Sequence, residues 1–334
     1  MNAPRTRVQR RPVHGVLLLD KPLGLSSNQA LQRAKWLLRA EKAGHTGTLD
    51  PLATGVLPLC FGAATKFSQL HLDADKTYVA TARLGVKTST GDAEGEVIAE
   101  RAVDVTAADL ARVQALFTGP ISQVPPMHSA LKKDGKALYE YAREGIEVER
   151  APRDVVIYAL DVTPLEAAAA ATATATGSIR DLRITAKVSK GTYIRTLGED
   201  IGEALGCGAH LTSLRRVATG NFGESQCITL EALEAMNEDE RLAQLQPAEC
   251  LVAGHSRVTL GKEDAARFLS GLRRRGEWPD AGEVAVFGRE PAAFLGTAHV
   301  TANELIPGRL LNPIEIQQIL LTASLNANLC ETTS

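Results

Sequence analysis

The chain has 334 residues, of which 44% are hydrophobic, and its net charge is −2 at neutral pH. This length is sufficient for two domains, or for one large domain with a smaller one. The five cysteines are scattered without a CxxC or another paired spacing, which disfavours a zinc site or a disulfide framework and fits a reducing cytoplasm. No apolar run approaches the roughly 18 to 20 residues of a membrane span, and the N-terminus has no signal-peptide core. We therefore expect a globular cytoplasmic protein that does not contact a membrane.

Basic residues are concentrated near the N-terminus. Residues 1–50 contain nine Lys or Arg against three acidic residues. Local charge, more than the sum over a chain, decides whether a surface can contact phosphates. We interpret residues 1–12 as a basic arm, either a solvated tail or a loose contact to RNA through Arg5, Arg7, Arg10 and Arg11.

Strand and helix patterns follow one another in the first half of the chain without a strict strand–helix–strand repeat. The run HGVLLLD at 14–20 is short, apolar and rich in strand formers, which predicts a strand. Ser26 and Gln29 have the spacing of a capping box, which predicts a helix ending near Ala40. Further predicted elements are a buried strand at 55–62, a strand at 76–86 and a helix from Thr106 to about Phe117.

The second half continues the mixture and ends in short strands. The patterns predict helices at 136–145, 192–205 and 230–249 and strands near 153–163 and 178–190. After a linker at 250–256, glycine-punctuated strand patterns predict a small β-rich domain over 253–320, followed by a tail at 321–334. The Ala- and Thr-rich segment 166–177 has low complexity, and we assign it no function. The fold class predicted from these patterns is α/β, of the α+β type.

The segment AGHTGTLDPLATGVLPLCFGAATK, residues 43–66, contains one acidic residue, Asp50, among glycines and threonines. Glycine lets backbone approach a partner closely, and Pro51 stiffens the chain directly after the acid, so the segment predicts a shaped loop whose backbone could lie against sugar and phosphate. The chain has no P-loop, nucleophile elbow, HExxH or Rossmann glycine motif, and CGAH at 207–210 offers too few ligands for a metal. Local sequence leaves two interpretations open: Asp50 is catalytic with His45 nearby, or Asp50 caps a turn and His45 packs.

Five motifs bear on this choice: GVLLLDKPLGLSSNQAL, GHTGTLDPLATGVLPLCFGAATKFSQ, KTYVATARLGVKTSTGDAEG, VPPMHSALKKDGKALYEYAREGIEVER and KGTYIRT. In this order they resemble the motifs of the TruB family of bacterial tRNA pseudouridine-55 synthases. The resemblance is dense over about residues 13–220 and thinner at GRLLNP. It implies a catalytic domain over 13–250 with a mixed, largely antiparallel twisted sheet flanked by helices. It also implies an RNA-clamp insertion at about 126–153 and a PUA-like RNA-binding domain at 253–320.

The resemblance, carried over residue by residue, implies three catalytic side chains. Asp50, in GHTGTLDP, would be the catalytic aspartate. Tyr193, in KGTYIR, would lie beside the base and accept a proton, and Arg195 would pair with Asp50.

The resemblance also implies further contacts to the substrate. His45 would contact the RNA, and Tyr78, in KTYVATARLG, would stack on the target uracil. Leu214, in SLRR, would pack in the pocket, and Lys21, in LDKP, would lie near the site. His128, in PPMHSALK, stands where the family usually has tyrosine, so the contact made there is open.

The implied reaction converts the T-loop uridine of tRNA to pseudouridine. The N1–C1′ bond breaks, the freed uracil turns, and C5 joins C1′ with no net redox change, so we expect neither cofactor nor metal. Asp50 could add to C1′ as a nucleophile or remove the C2′ proton to give a glycal, and the residues do not choose between these routes. Because the uridine is stacked in its RNA fold, the enzyme must first flip it out. We expect a monomer that binds the T-arm of tRNA, with a tRNA-folding chaperone and an RNA N-glycosidase as alternative functions.

Overall fold

The computed structural model describes residues 9–165 and 179–331. Up to residue 165 the elements are β1 (Gly15–Lys21), α1 (Ser27–Leu37), β2 (Ala43–His45), β3 (Ala53–Phe61), α2 (Ser68–Leu72), β4 (Lys76–Leu84), β5 (Val86–Thr88), β6 (Val97–Glu100), α3 (Ala107–Phe117), β7 (Gly119–Gln123), β8 (Lys132–Lys133), β9 (Lys136–Ala137), α4 (Leu138–Arg143) and β10 (Arg153–Pro164). From residue 179 they are β11 (Asp181–Val188), α5 (Ile194–Ala204), β12 (Ala209–Thr219), β13 (Phe222–Gly223), β14 (Ile228–Thr229), α6 (Leu230–Ala235), α7 (Glu238–Ala243), β15 (Ser256–Leu260), α8 (Lys262–Leu269), β16 (Arg274–Arg275), β17 (Ala281–Arg289), β18 (Ala292–Thr301), β19 (Glu304–Leu310) and α9 (Pro313–Glu331).

The large sheet is mixed and largely antiparallel, which confirms the predicted fold class. Its strands run in the order β14-β1-β3-β12-β4-β11-β10-β7, with β2 paired to β3 and β13 to β12. Within this path only β1 with β14 and β3 with β12 are parallel pairs. The β3–β12–β4 arrangement brings the Asp50 loop, which precedes β3, beside side chains of the two neighbouring strands.

The apolar run in β1 is explained by burial on both faces of the sheet. Leu17 and Leu19 belong to the core beneath the helices, whereas Val16 and Leu18 belong to a second core on the opposite face. Successive side chains of a strand point to opposite faces, so a strand buried on both sides is apolar without alternation.

The second core joins the large sheet to the small C-terminal sheet, ordered β15-β17-β18-β19-β16. The rings of Phe67 and Phe294, from the two parts, have centroids 5.0 Å apart. Where the sequence predicted a linker, a 3-10 helix at Ala248–Val252 places Leu251 and Val252 in this shared core. The β-rich C-terminal domain is therefore packed against the first domain.

Local capping signals predicted helix starts well, and tertiary context changed other elements. The α1 capping box is present, with Gln29 N donating to Ser26 Oγ at 3.2 Å and Ser26 N donating to Gln29 Oε1 at 2.8 Å. The helical stretch predicted at 230–249 is instead the two short helices α6 and α7, because Asn237 caps a new start. The predicted helix at 136–145 is shortened to α4, since residues before it form the β8–β9 hairpin.

The chain ends differ partly from expectation. Of the basic arm, residues 9–12 are described: Arg11 forms an isolated β-bridge with Ala40, and Arg10 Nη1 donates to Ala40 O at 2.8 Å. The rest of the arm and the low-complexity segment 166–177 lie outside the described residues. Helix α9 continues through Glu331, past the point where the tail was predicted to begin. No helix in the described part of the chain is long and apolar enough to cross a membrane.

Candidate active site

The loop that carries Asp50 is held by hydrogen bonds to its backbone. Ser27, the first residue of α1, is buried, and its Oγ accepts from Leu49 N at 2.7 Å and donates to Leu49 O at 3.0 Å. Gly24 N donates to Pro51 O at 2.9 Å. The peptides on both sides of Asp50 are thus anchored, which restricts where its carboxylate can lie.

Lys21 supports the same loop from within the fold. Its side chain is fully buried, and Nζ donates to Pro22 O at 2.8 Å, to Leu25 O at 2.5 Å and to Pro51 O at 3.5 Å. Burial lowers the pKa of this amine to about 8, although the Asp50 charge acts in the opposite direction. The Lys21 ammonium thus contacts the backbone of the Asp50 loop, and Lys21 is not part of the wall of either cavity described below.

Asp50 forms an ion pair with Arg195, whose Nη2 lies 2.8 Å from Asp50 Oδ2. The Arg195 side chain is 5% exposed and that of Asp50 38% exposed, so the carboxylate faces solvent while its partner is buried. Arg195 Nη1 donates to Thr90 O at 2.9 Å and Nη2 donates to His128 O at 2.7 Å. These bonds satisfy a guanidinium that would be costly to bury alone, and the guanidinium in turn holds the Asp50 carboxylate by a charge-assisted contact.

A second carboxylate, that of Asp92, lies on the buried side of Arg195. Asp92 Oδ2 is 3.5 Å from Arg195 Nε, and its Oδ1 accepts from Thr90 Oγ1 at 2.5 Å and from Glu94 N at 3.1 Å. Asp92 lies in the motif STGDAEG, and no role was predicted for it from the sequence. An acid between glycines in a short loop is the one local signal that could have drawn attention to it.

Two open cavities meet at Asp50. The first, of about 530 Å³, we call the tyrosine cavity, and its wall includes Lys76, Tyr78, Tyr193, Leu214 and Arg216. The second, of about 510 Å³, we call the histidine cavity, and its wall includes His45, Asp92, His128, Tyr139 and Arg143. Asp50, Ser129 and Arg195 line both. If a ligand occupied the tyrosine cavity and its chain continued into the histidine cavity, that chain would therefore pass the exposed carboxylate of Asp50.

Neighbouring strands build the tyrosine cavity. Strand β12 lies between β3 and β4, so Leu214 is opposite Ala53 on one side and Ala80 on the other. Tyr78 on β4 is half-buried and lines the same cavity. Leu214 is 7% exposed, so only a small apolar part of its side chain faces the cavity. This apolar part can contact the face of a planar ring.

Tyr193 is held at the N-terminus of α5 by a side chain that the sequence analysis did not identify. The buried amide of Gln123, at the end of β7, accepts from Tyr193 N at 3.1 Å and donates to Tyr193 O at 3.3 Å. Burial raises the pKa of the Tyr193 phenol above its ordinary value. The phenol is therefore neutral near pH 7, and it can pass a proton on only as it receives another.

Arg216 explains part of the glycine pattern. Its buried side chain donates from Nε to Val56 O at 2.7 Å. Gly55 has φ +102°, and a Cβ there would lie 2.2 Å from Arg216 O, so only glycine fits where β3 approaches β12. At Gly47, with φ +108°, a Cβ would lie 3.6 Å from Arg216 Nη1. Gly55, one of the glycines expected to lie against a ligand, thus serves the contact between strands, whereas Gly47 lines the tyrosine cavity.

The two histidines of the histidine cavity are neutral groups near pH 7. Burial, and then the Arg216 charge, lowers the pKa of His45, whose Nδ1 is buried without a hydrogen-bond partner among the described residues. Burial, and then the Arg195 charge, lowers the pKa of His128. The predicted clamp reaches this cavity through Tyr139 and Arg143, with the Arg143 guanidinium 5.2 Å from the centre of the Tyr139 ring.

Comparison with known proteins agrees with this architecture. A model of the TruB family pseudouridylate synthase N-terminal domain matches residues 35–194, and a model of the tRNA pseudouridylate synthase B C-terminal domain matches residues 195–253. The chain is 65% identical over 321 residues to tRNA pseudouridine synthase B of Verminephrobacter eiseniae, covering 95% of both chains. It is 58% identical over 310 residues to tRNA pseudouridine synthase B of Ralstonia nicotianae, covering 91% of this chain and 96% of that one. A chain of a solved Cbf5-Nop10-Gar1 complex superposes with a TM-score of 0.67 at 27% identity, covering 91% of this chain and 86% of that one.

The sheet, the cavities at Asp50 and these similarities define an enzyme of the pseudouridine synthase class. The chain belongs to the TruB family of pseudouridylate synthases. The resemblance inferred from the five sequence motifs is thereby confirmed.

Proposed function

We propose that this protein is the isomerase that converts the T-loop uridine of tRNA to pseudouridine. Its membership of the family and the relatives named tRNA pseudouridine synthase B support the reaction and the substrate. The observation that carries the proposal is the exposed Asp50 carboxylate, paired with buried Arg195 at the junction of two cavities.

In this proposal the flipped uracil occupies the tyrosine cavity. Tyr78 stacks on one face of the base, and Leu214 provides the apolar surface beside it. Stacking a base on an aromatic side chain is worth about 1 to 3 kcal/mol, comparable with the few kcal/mol needed to unstack it from the RNA. The cavity can therefore compensate for extraction of the base before chemistry begins.

Asp50 carries the chemical step at the ribose. Either it adds to C1′ and displaces N1, or it takes the C2′ proton to form a glycal; in both routes the electron pair of the N1–C1′ bond leaves with the uracil. The base turns, C5 bonds to C1′, and the Asp50 carboxylate is regenerated. Arg195 holds the carboxylate in position throughout by the 2.8 Å ion pair.

Tyr193 moves the proton that the rearranged base must lose. C5 loses one proton and N1 gains one, so the reaction consumes none overall. Because burial keeps the phenol neutral, its oxygen can take the C5 proton only while its own proton moves on to an acceptor, which makes Tyr193 a relay.

The RNA around the target lies in the histidine cavity and along the clamp. His45 lines the histidine cavity, where its buried Nδ1 has no hydrogen-bond partner among the described residues, and Arg143 supplies a cation for a phosphate. The three consecutive arginines at 273–275 form ion pairs within the fold: Arg273 and Arg275 with Glu304, and Arg274 with Asp264. Their positive charge is therefore largely neutralised. A solved relative, 25% identical with a TM-score of 0.65, belongs to an H/ACA RNP bound to a substrate RNA, which supports RNA binding by this chain.

The remaining assignments are proposals of the same kind. Residues 1–12 are a basic arm, 13–250 the catalytic domain with its clamp at 126–153, 253–320 a PUA-like RNA-binding domain, and 321–334 a tail. The protein works as a cytoplasmic monomer on the T-arm of tRNA.

The test uses unmodified tRNA transcript with wild-type protein and with Asp50→Asn, followed by mapping of pseudouridine. Asp161→Asn is the matched control, since Asp161 is exposed on β10 outside both cavities. We expect pseudouridine at the T-loop position from the wild type and the control and none from Asp50→Asn. Product from Asp50→Asn at the wild-type rate would refute the role of Asp50. Free uracil would indicate an N-glycosidase, and tRNA folding activity without pseudouridine in the wild type would indicate a chaperone.

A further inference from the structure

Ser129, in the proposed clamp, lines the tyrosine cavity together with Asp50 and Tyr193. It is 5% exposed and lines the tyrosine and histidine cavities. Its backbone is fixed, because Ser129 N donates to Met127 O at 2.9 Å and Ser129 O accepts from Tyr139 N at 3.1 Å. The preceding carbonyl, of His128, holds Arg195. Any hydrogen bond from Ser129 would therefore start from a well-defined position.

The Ser129 hydroxyl is buried, yet it has no hydrogen-bond partner among the residues that the structure describes. Leaving a buried polar group unpaired costs about 1 to 3 kcal/mol, so such groups in native proteins generally have a partner in the working state. Tyr193 shares the cavity wall, and Ser129 lies close enough to lower the pKa of the phenol, against the larger effect of burial. The two side chains are close enough to interact, but no hydrogen bond between them meets standard distance and angle limits.

We propose that Ser129 is a positioning residue for Tyr193, whose phenol oxygen it hydrogen-bonds when RNA fills the tyrosine cavity and the clamp closes. A hydroxyl can donate to the phenol while the phenol keeps a lone pair and its own proton for the relay. The bond fixes the phenol torsion so that the lone pair faces C5 of the turned base. The backbone of Tyr193 is already fixed by Gln123, which leaves this torsion as the remaining freedom. The inference rests on the proton-relay role given to Tyr193 above.

The experiment measures the single-turnover rate of pseudouridine formation for Ser129→Ala, Ser129→Thr, Tyr193→Phe and the double variant Ser129→Ala/Tyr193→Phe. Losing one hydrogen bond to the relay should lower the rate of Ser129→Ala about tenfold, whereas Ser129→Thr, which keeps the hydroxyl, should stay within about threefold of the wild type. In the Tyr193→Phe background, Ser129→Ala should have no further effect, because the group it acts on is gone.

The outcomes separate the possible failures. Equal loss from Ser129→Ala in both backgrounds would show a merely structural role, and a wild-type rate for Ser129→Ala would also overturn the inference. If Tyr193→Phe keeps the wild-type rate, the relay role itself fails. A second readout serves if Tyr193→Phe is too slow to measure: fluorotyrosine at position 193, titrated by ¹⁹F NMR with RNA bound. Ser129→Ala should raise the titration midpoint and Ser129→Thr should not, and an unchanged midpoint in Ser129→Ala would overturn the proposal.

Discussion

Arg195 joins two carboxylates through one guanidinium: Nη2 lies 2.8 Å from Asp50 Oδ2, and Nε lies 3.5 Å from Asp92 Oδ2. The Asp92 side chain is 4% exposed and the Asp50 side chain 38% exposed. One acid therefore balances the buried charge, while the other keeps its reactive edge toward the cavities. This division explains how the active site can contain a buried arginine while Asp50 keeps an exposed carboxylate edge.

Arg195→Lys should abolish most of the activity. A lysine presents one point charge in place of a planar fork, so it cannot serve Asp50, Asp92 and the carbonyls of Thr90 and His128 together. Leaving a buried charge poorly paired typically costs about 3 to 5 kcal/mol, and part of this will appear as lower thermal stability. We expect the single-turnover rate to fall at least about 100-fold, which corresponds to about 2.7 kcal/mol. A variant that folds and retains the wild-type rate would contradict the role of the guanidinium.

Gln123→Ala should slow the chemical step more than it weakens RNA binding. The change removes both hydrogen bonds that hold the backbone of Tyr193, each worth about 0.5 to 1.5 kcal/mol. We expect the single-turnover rate to fall about 10- to 100-fold with tRNA affinity changed less than about threefold. Gln123→Glu keeps the acceptor for Tyr193 N and loses the donor to Tyr193 O, so its rate should be intermediate. Equal losses in rate and affinity would argue that Gln123 shapes the RNA surface instead.

Gly55→Ala should destabilise the fold. The new Cβ would lie 2.2 Å from Arg216 O, and φ is +102°, a conformation that L side chains rarely adopt. Since the neighbouring atom is backbone of β12, the two strands must separate, and we expect a loss of at least about 2 kcal/mol in the free energy of unfolding. The matched control is Gly44→Ala, where a Cβ would meet nothing within 4 Å. Urea denaturation of both variants measures the difference, and similar midpoints would contradict the steric explanation.

His71 should make the protein less stable in mild acid. Burial, and then the Lys76 charge, lowers the pKa of this imidazole from 6.5 to about 4. The unfolded chain takes up the proton more readily than the folded one, so the free energy of unfolding is unaffected above about pH 6.5 and falls as the pH drops toward about 4. The total loss is on the order of 3 kcal/mol.

Urea midpoints at about pH 7 and pH 4.5 test this contribution. His71→Gln should reduce the difference between the two midpoints, because the titrating group is absent. His299→Gln, at an exposed position, should leave the difference unchanged. The same difference in wild type and His71→Gln would assign the acid sensitivity to other groups.

Sequence alone determined the features that depend on neighbouring residues. The capping box at Ser26 forms as predicted, and the helix predicted to begin at Thr106 has one too, because each satisfies helix N–H groups within three residues of its own position. The five ordered motifs determined the family, and with it the expected chemistry of Asp50. A capping residue inside a longer helical pattern was missed: Asn237 begins a second helix, so the single helix predicted at 230–249 was too long.

Only the tertiary structure decided which distant side chains serve one site. Gln123, Ser129 and Arg195 come together because β7, the clamp and α5 pack against one another, and no local periodicity encodes that contact. The same holds for Gly55, whose need for glycine comes from the backbone of Arg216 on a neighbouring strand. Burial is likewise a property of the packed chain: it raises the pKa of the Tyr193 phenol, and it encloses the Ser129 hydroxyl, which has no hydrogen-bond partner among the described residues. The sequence carries no residue-level signal for either.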